Sequence, residues 1–179
     1  MVTKPPPEVW LRGPVPDVLP LLQPVAHSLL QCREEVRAHL PTLTPAQMWM
    51  RPSGAPSIGF HVRHAAGSLD RLFTYARGDA LSAGQHAALR TESDPDVGPG
   101  AAAMLVALFD AGVERALGQL RSTSEAALLD HRGVGRAQLP STVLGLLFHA
   151  AEHTQRHIGQ VVTTVRIVGA MDQTGVPPS

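Results

Sequence analysis

The chain has 179 residues and a mass of 19.0 kDa, enough for one domain that buries its own core. Lys plus Arg and Asp plus Glu balance at 15 each and the sequence pI is near 7.1, so no basic field exists to neutralise a phosphate backbone or to hold an anionic membrane surface. That composition excludes nucleic-acid and membrane-surface partners as first expectations. With aromatics at only 4%, the core must be filled by Leu, Val and Ala, which suits packed helices better than a sheet sandwich.

Apolar runs such as Met104 to Phe109 and Val143 to Phe148 are too short to span a bilayer. The lone cysteine, Cys32, cannot close an internal disulfide, and the first residues lack the basic region, apolar core and cleavage site of a secretory leader. A cytoplasmic location is therefore expected.

Residues 1–16 carry Pro5, Pro6, Pro7, Pro14 and Pro16, which fix φ and remove donors, so this stretch reads as an extended arm ahead of a single domain over 17–170. From Asp17 the apolar positions Val18, Leu22, Val25, Leu29, Cys32, Val36 and Leu40 recur at steps of three and four, which predicts a helix with one buried face. Pro20 and Pro24 make its first turns irregular, with the regular helix starting near Val25. Thr44-Pro45 is an N-cap followed by proline at the first helical position, opening a short helix through Met50.

After a Pro- and Gly-containing loop, Ser57 caps a second long helix with Ile58, Val62, Ala65, Leu69, Leu72 and Ala76 on its apolar face and Gly78 placed to end it. Asp79 to Gly100 reads as a crossover loop with a turn of helix around Gln85 to Leu89. A third helix is predicted over Ala101 to Arg121, with Leu105, Leu108, Val113, Ala116 and Leu120 apolar. Ser122 to Leu139 reads as loop or a short hairpin. A fourth helix then starts with Pro140 in its first turn and runs to about Gly169 through Val143, Leu146, Leu147, Ala150, Ile158, Val161, Val165 and Val168, leaving residues 171–179 as a flexible tail. Four long helices joined by loops, without a strand series, predict an all-α four-helix bundle with long crossover loops.

Of the nine histidines, His149, His153 and His157 are spaced i, i+4, i+8, so their imidazoles project from nearly one helix face. A pair four apart clamps one ion, and imidazole suits divalent Zn, Ni, Cu or Fe. A site that does chemistry needs a third protein ligand and an open position. The second helix offers His61 and His64, one turn apart, and periodicity slightly prefers His61 because it lies nearer the apolar stripe. His27, His39, His86 and His131 have no spacing partner and read as surface residues. Glu152 and Asp70 are carboxylates in reach of the ligand helices, although helical direction favours the solvated face for both. Arg63 and Arg156 flank the histidines and read as surface residues, with a carboxylate held by paired hydrogen bonds as their alternative partner. Cys32 completes an apolar stripe and reads as a buried structural thiol.

The Ser57-Ile-Gly opening with His64, followed far down the chain by His153-x-x-x-His157-Ile-Gly-Gln160, resembles the DinB/YfiT-like superfamily over nearly the whole chain. The family's register from the position of Ile58 selects His64 over His61. The resemblance implies a bundle of up-up-down-down style, a metal site of His64, His153 and His157 for zinc or nickel, and a homodimer. It also implies a metal-dependent enzyme that moves a low-molecular-weight thiol of the bacillithiol or mycothiol type onto a small electrophile, in detoxification, or that hydrolyses a small-molecule substrate. The catalytic group would then be metal-activated water or thiolate. The rival expectation is a non-enzymatic metal-binding stress-response protein. His61 and His149 remain the alternative ligands.

Overall fold

In the computed structural model, residues 6–174 are described, with side chains through residue 171. The elements in order are α1 (Gln23–His39), α2 (Pro45–Trp49), α3 (Ile58–Arg77), α4 (Ala83–Arg90), α5 (Ala101–Ser122), a hairpin of β1 (His131–Val134) and β2 (Leu139–Thr142), and α6 (Val143–Thr174). The four long helices α1, α3, α5 and α6 close into a ring in which α6 and α5 each pack on both α1 and α3. The fold is all-α, and the apolar stripes of the four helices merge into one core around Leu29, Val62, Phe109 and Leu147.

Cross-helix pairs fix the directions. Arg33 meets Glu114 and Arg37 meets Asp110, so α1 and α5 are antiparallel. Asp70 faces Arg115 and Arg77 donates to Gln119, so α3 and α5 are parallel. His61 meets His157 and His64 meets His153, so α3 and α6 are antiparallel. The bundle is therefore up-down-down-up, not the up-up-down-down style expected from the resemblance. Parallel α3 and α5 need a connection that returns along the bundle, and the crossover carrying α4 supplies it.

Local chemistry explains most element ends. Ser57 accepts from the Phe60 N–H to cap α3, and Gly78 closes that helix with φ of 87°, the left-handed conformation glycine adopts without strain. Thr44 with Gln47 and Ser82 with Gln85 form reciprocal capping boxes at α2 and α4. The predicted apolar face of α1 is buried throughout, from Val18 to Leu40.

Four details differ from the sequence expectations. The N-terminal arm is not simply extended: its visible part contains a 3-10 turn at Val9–Leu11, buries Val9, and is tied to α1 by the Val9 N–H to Gln31 and by Arg12 to Glu34. Residues 1–5 lie outside the described residues. On α5, Phe109 is buried while Leu108 is 43% exposed, because Met104 to Phe109 is apolar all round and periodicity there cannot choose a face. Pro140 stands opposite Gly133 in the hairpin rather than in the first turn of α6, and Thr142 instead caps α6 by accepting from the Gly145 N–H. The last helix continues to Thr174 rather than ending near Gly169, so the start of the expected tail is helical, and residues 175–179 are outside the described residues.

Candidate metal centre

Antiparallel packing of α3 on α6 brings His64, His153 and His157 together, each half-buried, with one nitrogen of each within 4.8 Å of the others. The rings converge: centroids lie 4.5 Å apart for His64 and His157, 4.6 Å for His153 and His157, and 5.3 Å for His64 and His153. The Nε2 atoms of His64 and His153 are 3.1 Å apart. Two imidazole nitrogens on one tetrahedral ion with bonds of about 2.0 to 2.1 Å stand about 3.3 Å from each other. The donor set and its spacing fit a divalent transition metal with modest side-chain rotation.

Burial also readies these rings as ligands. Desolvation first, and then the neighbouring His64, push His153 down, while desolvation together with His64, His153 and His61 pushes His157 to about 4. Both rings are neutral at pH 7, which is the ligating form.

The second nitrogen of His64 is held by a residue the sequence reading missed. Its Nδ1–H donates to Oε2 of Glu92 at 2.7 Å, and Glu92 is only 3% exposed. Burial raises the Glu92 carboxyl, but hydrogen bonds from His64 and Arg71 and the Arg71 charge outweigh it and hold the group below the usual carboxylate range. An ionised carboxylate only accepts, so it holds a His64 proton on Nδ1 and leaves Nε2 as the atom that faces the cluster. Arg71, itself buried, donates to the other carboxylate oxygen at 2.7 Å. The close approach depends on Gly67, where a Cβ would come within 2.6 Å of Glu92 Oε1 and 2.8 Å of Arg71 Nη1. A glycine inside a helical pattern was the only available signal, since nothing in sequence says which loop carboxylate folds back onto α3.

The Ser57-Ile-Gly opening has its own physical reason. A Cβ at Gly59 would meet the Trp49 ring at 2.8 Å, so glycine lets α2 lie against the start of α3. Trp49 in turn donates its indole N–H to the Asp96 carbonyl, and Arg63 stacks over its ring at 4.9 Å while donating to the carbonyls of Thr91 and Asp94. These contacts pin both sides of Glu92. Arg63 thus ties α3 to the crossover.

The other expected residues fall as follows. His61 is 7% exposed and its Nδ1 lies 2.9 Å from Nδ1 of His157, beside the cluster rather than within it. Its nearness to the apolar stripe gave it burial, whereas His64, on the flank of the stripe, reaches the opening. Burial, then His64, lower the pKa of His61. Phe60 stacks on His64 with ring centroids 5.4 Å apart. His149 is exposed and pairs with Glu152, which also binds Arg156 on the same outer face. Asp70 accepts from Gln85, away from the histidines. Cys32 is fully buried, burial pushes its thiol up, and it donates to Gln155. His86 and His131 are exposed, and His27 and His39 are half-buried away from the cluster.

The sequence model of the DinB superfamily matches residues 28–161, which span all four long helices and every histidine of the cluster. The chain belongs to the DinB superfamily. Among solved structures, a conserved protein from Enterococcus faecalis superposes with a TM-score of 0.66 at 23% identity, covering 85% of this chain and 99% of that one. At that identity the likeness establishes a shared fold alone. No curated protein matches the sequence.

Proposed function

We propose that this DinB-superfamily chain holds one divalent transition metal, zinc or nickel, on His64, His153 and His157, and that it is a metal-dependent enzyme acting on a small electrophile. The observation that carries the reading is the convergence of three imidazoles from two facing helices, one of them braced by a buried carboxylate. A metal in that position would supply Lewis acidity, making a thiol or water nucleophilic at neutral pH. The chain's residues do the rest. Glu92 and Arg71 hold His64 in one tautomer and Phe60 covers one face of its ring, while His64, His153 and His157 are each only half-buried. Three protein ligands leave a coordination position open, which favours a reactive site over a closed structural one. Between the two nucleophiles we favour a low-molecular-weight thiol of the bacillithiol or mycothiol type, from the DinB resemblance, acting in the cytoplasm.

Metal analysis of untagged protein tests the site. About one ion per chain is expected for a single three-ligand site, with loss of the ion in His153→Ala and His157→Ala. Unchanged stoichiometry in the double variant overturns the assignment. Turnover of monochlorobimane with a panel of thiols, stopped by a chelator, is the expected activity. Stable metal binding without turnover would instead favour a binding protein of the stress-response kind.

A further inference from the structure

His61 is the one buried histidine that touches the cluster without joining it. Its Nδ1 stands 2.9 Å from Nδ1 of His157, with ring centroids 5.2 Å apart and planes at 48°. That separation is a hydrogen bond. His61 also lies outside the group of nitrogens that stand within 4.8 Å of one another. A neutral imidazole carries one N–H, so the direction of this hydrogen bond decides which nitrogen of His157 has a free lone pair. If His61 donated, the His157 proton would sit on Nε2 and close that nitrogen to an ion.

We propose that His61 is a positioning residue: it accepts the Nδ1–H of His157 and so leaves Nε2 of His157 as the ligand atom. This rests on the metal reading above and deepens it. Each side of the centre then has its own orienting group: Glu92, from the crossover after α4, holds His64 of α3, and His61 of α3 holds His157 of α6. It also accounts for two histidines one turn apart on α3: His64 faces the ion, and His61 stands behind the opposite ligand. The bond crosses between helices, and His61, its acceptor, is buried and so shielded from competing water.

The test uses the full chain as wild type, His61→Leu and His61→Asn, with zinc titrated against a chromophoric chelator and with nitrogen NMR of the His157 ring. Leucine removes the acceptor at similar bulk, while the asparagine carbonyl oxygen takes nearly the place of Nδ1. The expected result is unchanged zinc stoichiometry in both variants, an affinity about 10- to 100-fold weaker in His61→Leu, and substantial recovery in His61→Asn. In metal-free wild type the His157 ring should carry its proton on Nδ1, a reading that needs no variant to fold. Loss of the ion in His61→Leu would make His61 a ligand and overturn the proposal, as would equal affinity in all three proteins or a wild-type His157 protonated on Nε2. An Nδ1-protonated His157 in a wild type that binds no zinc supports the ring pairing and overturns only the metal reading.

Discussion

The two opposite contacts of the bundle, α3 against α6 and α1 against α5, are fastened in different ways. Between α1 and α5 the seam is apolar inside and closed at the surface by Arg33 with Glu114 and Arg37 with Asp110. Between α3 and α6 four imidazoles face each other, and a buried Arg71–Glu92 pair sits alongside. Burying polar groups costs stability unless each is partnered, so the second seam is kept at the expense of packing that the first shows to be available to this sequence. The α3–α6 seam is organised around its histidines, the α1–α5 seam around its apolar packing. Among the described residues, the Thr154 hydroxyl, one position along α6 from His153, is buried without a hydrogen-bond partner.

The largest expected effect comes from breaking the buried pair. Glu92→Ala leaves the Arg71 guanidinium buried without its partner and frees His64 to turn, and should destabilise the chain by about 3 kcal/mol. Chemical denaturation of the metal-free protein measures it. A loss under about 1 kcal/mol would mean that the pair behaves like a surface one.

A smaller effect should follow pH. The folded His157 pKa is about 4 against 6.5 for the ordinary group, so between these values the unfolded chain binds a proton that the folded chain does not. The contribution of neutral His157 is therefore complete above pH 6.5 and is lost as pH falls towards 4. Melting of the metal-free protein should show falling stability over that window, with a shallower slope in His157→Asn. An identical slope in the two proteins would show that other groups carry the dependence.

The smallest effect belongs to the opposite seam. Arg37→Ala removes an exposed ion pair and should cost less than about 1 kcal/mol, shrinking further in high salt. A cost matching that of Glu92→Ala, insensitive to salt, would erase the distinction between the seams.

Much of this molecule was legible before folding was considered. The step of three and four along α1 marks its buried face residue by residue, because a helix with one wet side must repeat at its own pitch. The i, i+4 histidines of α6 announced a paired ligand face for the same reason. The sequence by itself determined the four long helices apart from their exact ends, the caps Thr44, Ser57 and Gly78, and the candidate ligands of α6. Tertiary structure alone decided the rest. Leu108 or Phe109, His61 or His64, and the choice of Glu92 as the carboxylate behind His64 all turn on the angle and depth at which separate helices meet. A one-dimensional pattern gives a side chain's direction around its own axis, but a partner brought back by a crossover loop is fixed only by the packing that brings it there.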